Sequence, residues 1–189
     1  GYYYDQVQIF EKLMDMPNLK AIRGNHDIMF LEIARGDESL RLNYLHKYGS
    51  SMENLMNVDA KDLAGWLSSL ASFTGGDSER ISCYHGSPRD HLEGYVYPDS
   101  GLEMFLEYRS SLFFLGHTHY PMARHIEDKW VVNPGSLGQP RNGKLPTYAV
   151  VDCTERKVVF REVPYDKKEL LARIDRRGDV NPYLREILA

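Results

Sequence analysis

Leu112-Phe113-Phe114-Leu115-Gly116-His117-Thr118-His119 is a short apolar run that stops at a glycine and then releases two histidines one residue apart. Four large apolar side chains predict a strand covered on both faces. Gly116 lets the backbone turn where a side chain would block close approach. In extended backbone, positions i and i+2 point to the same side. The two imidazoles are therefore expected to leave the strand edge together and share one ion or serve two adjacent ones. Unperturbed imidazole is mostly neutral at pH 7, and its free ring nitrogen suits borderline transition ions. Taken alone, the pair fits equally well two loop histidines held by hydrogen bonds.

The same pattern recurs along the chain. Leu19 to Arg23 predicts a first strand that runs into Gly24-Asn25-His26-Asp27. Arg80 to Tyr84 runs into His85-Gly86-Ser87-Pro88, and Trp130 to Val132 into Asn133-Pro134-Gly135-Ser136. In open α/β sheets, ligands bind beyond the carboxyl ends of strands. Four such endings predict one convergent cleft.

The segments between them alternate in period. Apolar residues at helical spacing predict helices over residues 5–16, with Asp5 as N-cap and Pro17 closing, and over 59–70, with Asp59 as N-cap. Asp27 is placed as cap of a helix that runs to Gly36. Further helices are expected over 102–108, 167–177 and 180–188. Leu40 to Tyr48 and Met52 to Met56 read as a mobile helical excursion, either a wall or lid over the cleft or a plain surface insertion. Three hairpins are expected: 72–74 with 80–84 through Gly75-Gly76-Asp77-Ser78, 122–126 with 129–133, and 147–152 with 157–163. Antiparallel additions to a strand-helix-strand core make the class mixed α/β.

At 189 residues the chain is long enough for one domain with a substantial core, spanning 1–189. A hydrophobic share of 42% against 26% charged excludes a largely disordered chain. A net charge of −4 and a pI near 6.0 supply no basic field for gripping a nucleic acid backbone, which argues against that partner. Cys83 and Cys153 lack Cys-x-x-Cys spacing and read as two buried free thiols in a reducing compartment. No apolar run approaches the ~20 residues that span a bilayer, and no secretory signal pattern is present. A soluble, cytoplasmic protein with no membrane partner is the expectation.

The strand endings supply Asn25, His26, His85, His117 and His119. Imidazole with carboxamide suits Mn, Fe, Zn, Co or Ni better than Ca. Two divalent ions about 3.5–4 Å apart repel strongly and normally need a bridging carboxylate; none of the five residues is one. Asn133 is either a donor or the support of a tight Asn-Pro-Gly-Ser turn. Arg141 and Arg89 could meet a substrate phosphate through the planar guanidinium fork, or be solvated loop arginines. His46, His91 and His125 have no motif around them and read as surface or packing residues.

Gly24-Asn25-His26-Asp27, His85-Gly86, Gly116-His117-Thr118-His119 and Asn133-Pro134-Gly135-Ser136, in this order and spacing, resemble the calcineurin-like metallophosphoesterase family, in particular its small bacterial and archaeal single-domain branch. The resemblance covers nearly the whole chain. It implies a four-layer α/β/β/α sandwich with two mixed sheets and a two-metal cleft at the strand ends, hydrolysing phosphomonoesters or phosphodiesters. By position, it implies that Asn25, His85 and His117 hold one metal, that His119 belongs to the other, and that His26 stabilises the attacked phosphate or protonates the leaving oxygen.

One departure from the family pattern carries its own expectations. The family's opening Asp-x-His and Gly-Asp strand ends, which hold the first metal and the bridging aspartate, have no counterpart here. Asp5 is a poor substitute, because it sits at a helix start. The chain thus reads as lacking two strands of the first sheet, leaving unpaired edges through which copies could associate. It is expected to hold one ion or none, with severely reduced hydrolysis, unless another segment or subunit supplies the missing carboxylates. The contrasting expectation is a non-catalytic protein-binding scaffold on the same fold.

Overall fold

In the computed structural model, which describes residues 2–75, 80–141 and 145–188, the decisive apolar run is strand β3 of a five-stranded mixed sheet. The sheet comprises β1 (Phe73–Thr74), β2 (Ile81–Tyr84), β3 (Leu112–Leu115), β4 (Met122–Ile126) and β5 (Lys129–Asn133), in the order β1-β2-β3-β5-β4. β2, β3 and β5 are mutually parallel, with Tyr84 opposite Leu115 and Phe114 opposite Val132. β1 and β4 close the edges antiparallel. The central three strands therefore deliver their carboxyl ends, Tyr84, Leu115 and Asn133, to one edge. The Gly76-Asp77-Ser78 part of the first hairpin turn lies outside the described residues.

Burial explains why these segments are strands. Phe113 and Leu115 alternate with half-buried Leu112 and Phe114 along β3, so one face is sealed and the other only partly covered, not both sealed as the apolar run suggests. Phe105, Phe113 and Val131 are fully buried in one cluster with Tyr84, Val96 and Leu102. Burying each such side chain contributes about 1.5–3 kcal/mol. Phe105 arrives on a single 3₁₀ turn, Glu103–Glu107, where an α-helix is expected. Lys129 is buried with its ammonium donating to the carbonyls of Tyr108 (2.6 Å) and Ser110 (3.0 Å). β6 (Thr147–Asp152) and β7 (Lys157–Glu162) form a separate antiparallel pair. Cys153 leads their turn and is exposed rather than buried, while Cys83 is half-buried.

The chain divides into two compact units, Ala71–Pro164, which holds the seven strands found among the described residues, and Gly1–Leu70 with Tyr165–Ala189, which is helical. The helical unit contains α1 (Gln6–Met14), α2 (Asn25–Ala34), α3 (Glu38–Tyr48), α4 (Ser51–Met56), α5 (Lys61–Ser69), α6 (Lys167–Arg177) and α7 (Tyr183–Glu186). Residues 19–23, expected as the first strand, form no ladder, because no strand among the described residues pairs with them. Helix α2 starts at Asn25, before Asp27. Asp27 caps it from the third helical position by accepting from the Gly24 amide at 2.7 Å. Asp5 precedes α1 without a capping bond. Its carboxylate is instead gripped by both terminal nitrogens of Arg173, at 2.7 and 2.8 Å.

The Met- and Tyr-rich excursion is core and not a loose lid. Tyr44, Met52 and Leu55 of α3 and α4 are buried with Phe30, Leu31 and Leu63. An open cleft of about 370 Å³ in the same unit is lined by Ile9, Leu13, Leu19, Ile22 and Trp66, and Ile9 is 54% exposed. No helix among the described residues is long and apolar enough to cross a membrane.

Candidate functional site

The three parallel strand ends bring His85, His117 and His119 together. The turn after β3 is tight: the Thr118 amide donates to the Gly116 carbonyl at 2.6 Å, and the Gly116 amide to the His85 carbonyl at 3.0 Å. A Cβ on Gly116 would stand 3.3 Å from that same carbonyl oxygen, which is why the position suits glycine. His117 (φ 59°) and His119 (φ 62°) both occupy the left-handed region. The strand has already ended at Leu115, so the expectation that extended backbone points both rings to one side is incorrect. The turn orients them instead, at a backbone cost of about 1–2 kcal/mol each.

Asn133 holds that turn. It is fully buried, and its Nδ2 donates to the Gly116 carbonyl (2.7 Å) and the Thr118 hydroxyl (3.0 Å) while its Oδ1 accepts from the Gly135 amide (3.0 Å). With both ends of its amide engaged inside the protein, Asn133 supports the loop.

His117 Nδ1 lies 3.2 Å from His85 Nε2, with the rings 5.0 Å apart and inclined by 65°. Two nitrogens bound to one ion at about 2.0–2.1 Å would be separated by about 2.8–3.4 Å in octahedral or tetrahedral geometry. The His85–His117 spacing falls in that range. His119 donates Nδ1–H to the Gln139 carbonyl at 2.8 Å, which leaves Nε2 as its lone-pair nitrogen.

Burial keeps these rings uncharged. His85 is pushed down to about 4 from 6.5, first by desolvation and then by the neighbouring His117 and His119. His119 is also pushed down to about 4, by desolvation and then by Arg141, against the opposing pull of its bond to Gln139. Desolvation lowers His117 too, although the carboxylates of Glu93 and Asp90 act in the other direction. The 3.9 Å approach of Glu93 to His117 Nε2 is therefore not an ion pair at pH 7. Neutral imidazole is the ligating form. The three rings fit a divalent transition ion in donor chemistry and, for one pair, in spacing. Among the described residues, no group of three or more His, Cys, Asp or Glu side chains is drawn together as a complete metal cage.

Asn25 and His26 belong to the helical unit. His26 Nδ1 is 3.0 Å from the Tyr44 hydroxyl. Rings of Tyr2 (4.4 Å), Tyr48 (4.8 Å) and Tyr44 (5.5 Å) surround it. Burial raises the Tyr44 phenol, so it stays protonated and can donate to Nδ1. That places the histidine's own proton on Nε2. Asn25, buried at the first turn of α2, accepts from the His26 amide at 3.0 Å. Of the two arginines, Arg141 lies close enough to His119 to lower its basicity, whereas Arg89 is paired with Glu107 at the exposed surface.

Three contributors escape sequence reasoning. Glu93 and Tyr95 come from an irregular polar loop with no periodicity to mark them, yet Tyr95 packs its ring 4.3 Å from His117. Gln139 acts through its main-chain carbonyl, which no side-chain pattern announces.

The chain is similar to several known proteins. A sequence model described as the calcineurin-like phosphoesterase superfamily domain matches residues 4–156, across both units. An uncharacterized protein, MJ0912, of Methanocaldococcus jannaschii is 28% identical over 92% of this chain and 76% of its own length. The crystal structure of a metallophosphoesterase from Sphaerobacter thermophilus superposes with a TM-score of 0.75 at 25% identity, covering 96% of this chain and 81% of that one. That of the hypothetical protein PH1004 from Pyrococcus horikoshii OT3 gives 0.73 at 24%, covering 96% and 77%, and supports the fold. With the strand-end histidines in place and the match spanning most of its length, the chain belongs to the calcineurin-like phosphoesterase superfamily.

Proposed function

We propose that this protein hydrolyses phosphomonoesters or phosphodiesters with divalent transition-metal ions held at the strand-end histidines. The observation that carries the reading is the His85–His117 pair, two nitrogens 3.2 Å apart on rings that burial keeps neutral. His119 offers Nε2 beside them because its Nδ1 proton is committed to Gln139. When bound, such ions neutralise charge on the phosphoryl oxygens and acidify the attacking water.

The protein's own residues supply orientation and proton handling. Asn133 locks the turn that aims His117 and His119. Arg141 provides positive charge near His119 for a phosphoryl oxygen. Asn25 as an oxygen donor and His26 as the group that protonates the leaving oxygen belong to the same proposal and rest on their positions in the family pattern. Tyr44 fixes His26 with the proton on Nε2, the atom proposed to deliver it to the leaving group. Since none of the four proposed donors, Asn25, His85, His117 and His119, is a carboxylate, weak or single-ion occupancy and slow turnover are proposed for residues 1–189 alone.

The test is turnover of p-nitrophenyl phosphate and bis(p-nitrophenyl) phosphate with manganese titrated in. Slow hydrolysis that requires the metal, and that falls about 100-fold or more in His26→Ala, supports the reading. Metal binding with no turnover of either ester would favour a non-catalytic scaffold on the same fold.

A further inference from the structure

We infer that the end of the sheet opposite the histidines carries a second ligand site, for a small aromatic anion such as an aryl carboxylate or sulfonate. β2 and β3 begin there, at Ile81 and Leu112, with Trp130, the second residue of β5, in register with Leu112. Under those strand starts lies a cavity of about 130 Å³, closed on its other side by Val151 and Val158 of the β6–β7 hairpin. Its lining is mostly apolar. A void of this size takes a single ring more readily than a nucleotide or a peptide.

Three features say what the ring should carry. Arg80 and Arg156 both line the cavity, and neither guanidinium has a hydrogen bond or ion pair among the described residues. Among the described residues Asp152 is the one carboxylate in the lining, and its Oδ1 already accepts from the amides of Thr154 and Glu155 at 2.9 Å. The lining is therefore net positive, with its negative member engaged by the hairpin turn. Trp130 is in the lining and supplies aromatic surface for contact with an aryl ring, and a planar guanidinium fork matches the oxygens of a carboxylate or sulfonate. Apolar floor, aromatic lining and two guanidinium groups without a partner among the described residues together select a compact aromatic anion over a neutral aromatic or a bare inorganic anion.

Both tryptophans report, one in each unit, since Trp66 lines the cleft of the helical unit and Trp130 lines this cavity. The experiment follows the two indole N–H signals of the ¹⁵N-labelled protein, assigned with Trp66→Phe, while benzenesulfonate is added. Saturable movement of the Trp130 signal alone is expected, with the dissociation constant raised about tenfold in each of Arg80→Gln and Arg156→Gln. Both arginines are exposed, so neither change should disturb folding. Benzyl alcohol and sodium sulfate, the ring and the anion separately, should each bind at least about tenfold more weakly. No saturable shift at Trp130, equal movement of Trp66, equal binding of either control, or unchanged affinity in both arginine variants would each overturn the site.

Discussion

His119 gives its Nδ1 proton to the main-chain carbonyl of Gln139 across 2.8 Å, so the orientation of this ring is set by backbone twenty residues further along the chain. A carbonyl can only accept, which fixes the tautomer. In metal-free protein at pH 7, long-range ¹⁵N spectra should show His119 protonated at Nδ1, the less common form of free histidine. Protonation at Nε2 would mean that the bond to Gln139 does not form in solution.

Acid should destabilise the strand unit over a defined window. His85 and His119 titrate at about 4 in the folded protein against 6.5 when exposed. Between those values the unfolded chain binds more protons than the folded one, so stability rises with pH. The contribution is complete above about 6.5 and is lost as pH falls to about 4, on the order of a few kcal/mol in all. Urea melts of chelator-treated protein across that range check it. His85→Asn with His119→Asn should flatten the slope, and an unchanged slope would refute the assignment.

Asn133→Ala should cost about 2–3 kcal/mol, because the buried amide serves the Gly116 carbonyl, the Thr118 hydroxyl and the Gly135 amide at once. Asn133→Asp keeps the acceptor and loses the donor, and should also destabilise. Denaturant midpoints measure both. A variant as stable as the parent would show that the turn holds itself.

Tyr44→Phe removes the partner of His26 Nδ1 without emptying the packing around it. Turnover should fall about tenfold or more while stability changes by about 1 kcal/mol. The pH profile of kcat should shift as the ring loses its preferred tautomer, whereas a purely structural role for Tyr44 would leave that profile in place.

How much of this was legible in the residues depends on what each one uses to do its work. Strands β2, β3 and β5 and the β4–β5 and β6–β7 hairpins follow from apolar runs and turn residues, and their shared direction follows from the recurrence of chemistry at each end. The membership of the family was carried by the motif order. Residues 19–23 look as strand-like as 81–84, but a strand exists only with a neighbour to pair with, and pairing is not a local property. The i, i+2 geometry of His117 and His119 misled because it assumes extended backbone, while both residues take positive φ. Tyr44 and Met52 read as part of a mobile lid or a surface insertion because their stretch mixes Asn, Tyr and Met without a clean period, yet they are 2% and 1% exposed. Gln139 was invisible because its contribution is a carbonyl that every residue has.

The most direct test of the central claim is a zinc titration of ¹⁵N-histidine-labelled protein, residues 1–189, at pH 7. Residues His85 and His117 should shift together and saturate with the first bound ion, and His46, His91 and His125 should stay where they were. Retention of the metal-free positions by His85 and His117 at saturating zinc would contradict the metal site and, with it, the proposed hydrolysis.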